Sequence, residues 1–380
     1  GDNWDYTAGQ HMVLADLDLD GERRKVLMQA PKNGFFYVLD RETGEFLSAE
    51  KYVTVNWASH IDPETGRPVE TEEGNYDEQP RTILPSPSGG HNWHPMSFSP
   101  DTGLVYIPTI ELALIYALDS GFDYNSRTWN LGIDISAIPN LLAEMPAPPT
   151  YGALKAWDPI EQREVWSVQH AGAFNGGVLS TGGNLVFQGT ADGQFAAFQA
   201  DSGAELWRIA TNIGIVAPPI SYSVDGEQYI AVLAGWGGNV IVGMDAGISA
   251  ASTYENPGRL FVFKLDGEEP IPAVRAKRGD FLVPAPSGVL TAQERKGQDL
   301  YHDLCAVCHG LLAVSSGVIA DLRLSSDRVH ENFDVIVRDG ELAEQGMASF
   351  ADVLEEEDVD AIQAYLSMRE AQDKAAAEGP

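Results

Sequence analysis

The chain has 380 residues, of which 44% are hydrophobic and 9% aromatic, a composition that fits a folded protein of more than one domain. Its 56 acidic residues outweigh 24 basic ones, for a formal charge of −32. That excludes nucleic acid and anionic membrane surfaces as partners and suits docking to a basic one.

The amino terminus, Gly1-Asp2-Asn3-Trp4-Asp5-Tyr6, has no initiator methionine, basic region or apolar stretch, and reads as processed or truncated. Strand-like runs over 12–18 and 25–29 flank Asp20-Gly21, a strong hairpin signal. Asp16, Asp18 and Asp20 resemble the start of a calcium loop. Leu27 stands where such a loop needs a bidentate glutamate, so the hairpin reading is kept.

A degenerate repeat follows. Ala156-Trp157-Asp158 leads on to Trp166, and Ala197-Phe198-Gln199 leads likewise to Trp207. Turn residues near 44, 103, 163 and 203 recur at roughly 40–60 residues, the spacing of four-stranded propeller blades, and about four copies fit before residue 275. One blade cannot bury both of its faces, so blades stack around an axis; a β-sandwich is the alternative. Residues 110–150 read as a long insertion loop. Residues 229–243, broken by glycines and Asn239, are too short to cross a bilayer and read as a buried strand and turn, so no membrane span is predicted. The β-rich part is placed at 1–274, with a linker over 275–288.

The most informative stretch is Cys305-Ala306-Val307-Cys308-His309, which holds the only two cysteines of the chain. Two thiols at this spacing followed by an imidazole form an attachment site for haem c, with His309 as proximal iron ligand. Met347, in a glycine-flanked loop, is the candidate distal ligand. Thr291 and Glu294 match a capping box that opens a helix leading to Cys305. Val329, Phe333, Ile336 and Val337 share one face of a helix that should stop at Gly340, and Val359, Ile362, Tyr365 and Leu366 share a face of the last helix. A small all-α cytochrome c domain is expected over 289–370, and a frayed tail over 371–380. Covalent haem attachment normally takes place outside the cytoplasm, so a periplasmic location is expected. His91 and His94 have no third ligand nearby and read as packing or surface residues.

Together, Gly1 to Tyr6, Ala30-Pro31-Lys32-Asn33-Gly34-Phe35-Phe36, Val55-Asn56-Trp57-Ala58-Ser59, His91-Asn92-Trp93-His94-Pro95, Gly235-Trp236-Gly237 and the cysteine motif resemble the type II quinohaemoprotein alcohol dehydrogenases. That resemblance implies part of an eight-bladed β-propeller that binds pyrroloquinoline quinone (PQQ), followed by a cytochrome c domain. It implies that Lys32 contacts the quinone oxygens, that Asn92, Trp93, Asn175 and Trp236 line the pocket, and that Arg323 partners a haem propionate. It also implies calcium, a small alcohol as substrate, and an external electron acceptor such as a blue copper protein or another cytochrome. The family's catalytic aspartate, calcium ligands, vicinal disulfide and tryptophan floor are expected upstream of Gly1, and neither Asp2 nor Asp5 is given the base's role on position alone. Ala320 and Ala348 stand where the family has proline. A non-catalytic electron-carrier module is the alternative function, and a protein-interaction propeller a more remote one.

Overall fold

The computed structural model describes residues 2–124, 126, 130–145, 150–237, 247–277 and 288–378. They fall into two compact units, one of residues 1–116, 146–237 and 248–277, the other of residues 117–145, 238–247 and 278–380.

The first unit is built from antiparallel sheets. The first sheet runs in order through β1 (Val13–Leu19), β2 (Glu22–Gln29), β3 (Phe35–Asp40) and β4 (Phe46–Lys51). Asp20 and Gly21 both take positive φ at the β1–β2 turn, as a two-residue hairpin requires, and the calcium alternative is not needed there. Two short pairs follow: β5 (Ala58–Ile61) with β6 (Pro68–Glu70), and β7 (Arg81–Ile83) with β10 (Leu114–Tyr116). The next sheet joins β8 (Ser97–Ser99), β9 (Leu104–Glu111), β11 (Tyr151–Asp158) and β12 (Arg163–His170). After it come β13 (Val178–Thr181), β14 (Leu185–Gly189), β15 (Gln194–Gln199) and β16 (Glu205–Ala210), and then β17 (Ile220–Val224), β18 (Glu227–Ala234) and β19 (Arg259–Lys264).

These sheets stack face to face. Leu104, Tyr106, Leu154 and Ala156 pack against Val178, Val186, Ala196 and Phe198 of the next sheet. Phe187, Phe195 and Ala197 of that sheet's other face pack against Ile230, Val232 and Phe261. The repeated tryptophan has a physical role in this stacking. The Trp166 indole donates to the Ala200 carbonyl at 3.0 Å, in the turn of the following sheet. Gly203 in that turn has φ 71°, and a Cβ there would lie 2.6 Å from the Trp166 ring. The last sheet leaves its far face open: Ile220, Tyr222, Val224, Leu233, Leu260 and Val262 are all exposed.

The repeat spacing needs correction. The turns near 44, 163 and 203 join third and fourth strands of three sheets, but Gly103 joins β8 to β9 in the same sheet as the turn near 163. The Gly103 amide donates to Ser99 as Gly44 does to Asp40 and Gly203 to Gln199, so one local turn type closes hairpins at different places in a sheet. Residues 110–150 are not loop throughout either. They contain β10 and a helix, α1 (Ile138–Glu144). Residues 229–234 lie in β18, where Ile230, Ala231, Val232 and Ala234 are buried; Asn239 and Gly243 lie outside the described residues. A short helix, α2 (Ala250–Thr253), precedes β19, and Arg275, Ala276 and Lys277 pair with residues 253–255. The rest of the linker, 278–287, lies outside the described residues.

In the second unit, α3 (Ala292–Leu304) opens on Thr291, whose hydroxyl accepts from Glu294 N while the Glu294 carboxylate accepts from Thr291 N. Both arms of the capping box are present. One further turn, α4 (Ala306–His309), follows Cys305 directly. The predicted middle helix is broken: α5 (Asp327–Glu331) ends where Asn332 leaves helical geometry, and a π-turn over Val335–Asp339 stops at left-handed Gly340. The last helix, α6 (Glu356–Glu378), buries Val359, Ile362, Tyr365 and Leu366. It runs through residues 371–378, where a frayed tail was expected, because Asp373 and Glu370 are tied to Arg323 and Lys374.

Helices α3 and α6 meet at Gly297, where a Cβ would lie 1.9 Å from the Ala361 carbonyl oxygen. Gly297→Ala should therefore push the helices apart and destabilise this unit by about 1–3 kcal/mol. Scanning calorimetry reads the effect, and an unchanged transition would refute the close contact.

Candidate functional site

Two groups of side chains carry chemistry, one in each unit. The first begins at the mouth of the β1–β2 hairpin. A hairpin returns the chain to its start, so the residues flanking it meet. Here Lys32 Nζ donates to the Asp5 carboxylate at 3.1 Å and to its carbonyl at 3.0 Å. The lysine side chain is 13% exposed and the aspartate 60%. Asp5 has φ 60°, a left-handed backbone uncommon for a residue other than glycine. The Asp2 carboxylate accepts from the amides of Trp4 and Tyr6, which flank Asp5, and Thr7 Oγ1 donates to Asp5 at 3.2 Å. An aspartate of this chain thus stands beside Lys32, a neighbour that the sequence reading did not assign to it. The hairpin geometry was the signal that would have found it.

From Lys32 the group continues as an arc across successive sheets. Gly90 N donates to the Lys32 carbonyl at 3.0 Å, and Asn92 Nδ2 donates to Ser88 at 2.8 Å, so Lys32 and Asn92 flank one tight loop. His91 holds that loop to the strand side, with its ring nitrogens 2.7 and 2.5 Å from the carbonyls of Ala30 and His94. Burial lowers its pKa to about 4 and that of His94 to about 3. Trp93 is half exposed and stacks on the His94 ring at 4.1 Å, and His94 lies 6.4 Å from Phe174.

Asn175, next in the chain, is buried and spans two loops. Its Nδ2 donates to Gly172 at 2.9 Å and its Oδ1 accepts from Ala191 N at 3.1 Å. Trp236 is 2% exposed and packs against Gly214, where a Cβ would come within 2.6 Å of its ring. Its indole N–H is buried and has no partner among the described residues. A buried donor without an acceptor is costly, and a polar ligand would repay it. The arc thus offers a cation, a carboxylate, amides, a flat ring and an unmet donor, a set that fits a planar, polar quinone.

The second group surrounds the cysteine motif. Cys305 caps α3 and is buried, with its thiol pushed up to about 12 by burial, while Cys308, one turn on, is exposed; neither forms a disulfide. His309 Nδ1 donates to the Ala320 carbonyl at 2.9 Å, which fixes the tautomer and leaves Nε2 the unprotonated nitrogen, the one able to ligate a metal. Burial lowers the His309 pKa. The acceptor is a main-chain carbonyl, which Ala320 supplies. Met347 follows left-handed Gly346 and packs on a cluster of Tyr301, Leu304, Cys305, Phe333, Val337 and Tyr365. Arg323 is buried, donating to Asp321 and Asp373. Two unpaired thiols and an oriented imidazole at one short turn, with Cys305 and the Met347 thioether on one apolar cluster, fit a covalently held haem.

Residues 1–69 and 66–230 match the family described as glucose/ethanol/alcohol dehydrogenase, beta-propeller domain, and residues 292–366 match cytochrome C oxidase, cbb3-type, subunit III. The chain is 46% identical over 376 residues to quinohemoprotein alcohol dehydrogenase ADH IIB of Pseudomonas putida, covering 98% of this chain and 54% of that protein. It is 40% identical to a 1-butanol dehydrogenase (cytochrome c) of Thauera butanivorans, with 96% and 52% covered. The solved quinohemoprotein alcohol dehydrogenase of Comamonas testosteroni superposes with a TM-score of 0.82 at 36% identity, over 100% of this chain and 55% of that one. The chain therefore spans about half the length of the curated relatives it matches. With its propeller-type sheets joined to a cytochrome unit, it belongs to the quinohaemoprotein alcohol dehydrogenase family.

Proposed function

We propose that this chain supplies the Lys32 side of a PQQ pocket and the haem c domain of an enzyme that oxidises a small primary or secondary alcohol. The observation that carries the reading is the Asp5–Lys32 ion pair at the head of an arc of polar groups, in a chain that also bears the haem motif. The first unit is read as about four blades of an eight-bladed propeller and residues 289–370 as the cytochrome c core. Calcium is assigned to ligands outside this chain, and the location to the periplasm.

PQQ, when bound, is the two-electron acceptor for the substrate's hydride. Asp5 would take the alcohol's hydroxyl proton, and the Lys32 ammonium would offset negative charge on the quinone oxygens. Asn92 and Asn175 hold the loops that bound the pocket, Trp93 offers a flat face and Trp236 a hydrogen-bond donor. Cys305 and Cys308 would hold haem c and His309 and Met347 would ligate it, and the group would supply one-electron transfer to an external acceptor such as a blue copper protein or another cytochrome. Arg323 is read as a partner of the haem propionates.

Three measurements test this. Reconstituting a protein that carries this chain with PQQ and calcium should give alcohol-dependent dye reduction, and Asp5→Asn should lower kcat by about 10²–10⁴-fold while the haem spectrum stays intact. A variant that kept the parent rate would remove Asp5 from the base's role; a haem spectrum with no alcohol-dependent turnover in the parent would favour the electron-carrier reading. Dithionite should give a sharp α-band and mass spectrometry a porphyrin increment, both lost in the Cys305→Ser, Cys308→Ser double variant; a bare polypeptide would end the haem assignment. Asn175→Ala strands the Ala191 amide and the Gly172 carbonyl, at a cost of about 1–3 kcal/mol in denaturant titrations.

A further inference from the structure

We infer that Asp373, near the end of α6, is a positioning residue for the proximal histidine, acting through Arg323 and Asp321. The inference rests on the haem reading above. Asp373 Oδ1 accepts from Arg323 Nη1 at 3.2 Å, and the two side chains are 14% and 1% exposed. The rest of the guanidinium grips Asp321 with both prongs of its fork: Nε donates to Oδ1 at 3.0 Å and Nη2 to Oδ2 at 2.7 Å. Asp321 also accepts from the Arg323 amide at 3.1 Å and the Ser315 amide at 3.4 Å.

Asp321 is joined by its peptide bond to Ala320, and it is the Ala320 carbonyl that accepts the His309 Nδ1 proton. The orientation of that peptide is therefore set from one side by a side chain held in a rigid, buried fork. Ser315 closes the loop from the other side, its hydroxyl donating to Ile319. The path runs from the last turns of the final helix to the ring nitrogen opposite the iron-facing one. A fixed acceptor at Nδ1 keeps the imidazole oriented and electron-rich, which favours oxidised iron. The role also accounts for α6 continuing past the residues that pack on the cluster of buried apolar side chains.

The test uses the full chain with haem attached. Proton resonance of the oxidised protein follows exchange of the His309 Nδ1 proton with deuterated solvent, and spectroelectrochemistry gives the reduced fraction at a fixed ambient potential. Asp373→Asn should speed the exchange roughly tenfold, as expected when a local bond opens more often, and raise the reduced fraction. Asp373→Glu should restore both. Glu370→Gln removes a like charge one turn earlier without touching the clamp, and should leave the exchange rate alone. Arg323→Lys keeps the charge but loses the fork, and should speed exchange even if Asp373→Asn is poorly loaded with haem. Unchanged exchange in either clamp variant overturns the inference, as does a redox change in Glu370→Gln equal to that in Asp373→Asn. Protein that takes up no haem at all would instead fail the reading on which the inference rests.

Discussion

Stacking of one antiparallel sheet on the next is the constraint from which the first unit follows. Every residue of β9 is buried, so that strand cannot face water on either side. A sheet of this kind needs a neighbour on each face, and the clusters joining the second, third and fourth large sheets show how the need is met. Stacking also brings the loops at the sheet ends alongside one another. Lys32, Asn92, Asn175 and Trp236 come from distant parts of the sequence, yet each lies one loop from the next. The arc is a by-product of burying apolar faces, and the chemistry is placed on it.

The second unit solves a smaller problem with fewer parts. Gly297 lets two helices touch backbone to backbone, and the resulting apolar cluster takes in Cys305 and the partly buried Met347. The thiols and His309 ride on a single turn after α3, so that helix sets where these side chains lie. Burial holds the free thiol of Cys305 protonated, whereas Cys308 faces solvent. The two sulfurs thus lie in different surroundings.

Local chemistry was legible in the sequence. The capping box at Thr291, the stop at Gly340, the Asp20-Gly21 hairpin and the buried face of the last helix depend on residues within a few positions of one another. What escaped depended on distance or on partners. Asp5 meets Lys32 only once the hairpin between them has folded. Gly103 carries the same turn signal as Gly44 and Gly203, and nothing within the turn says which pair of strands it closes. The end of α6 reads as tail on composition, since its anchor at Arg323 lies 50 residues earlier. Asn332 breaks a helix whose apolar periodicity is otherwise continuous.

The open face of the last sheet has a practical outcome. Leu233 sits across from Leu260, and Ile220 and Val262 flank Ala231, so the exposed side chains form one contiguous greasy panel rather than scattered points. On a chain this acidic, repulsion keeps molecules apart at low ionic strength. Salt shortens the reach of that repulsion and leaves the panel's attraction intact. The isolated polypeptide should therefore be most prone to clump in the very buffers usually chosen to suppress charge effects.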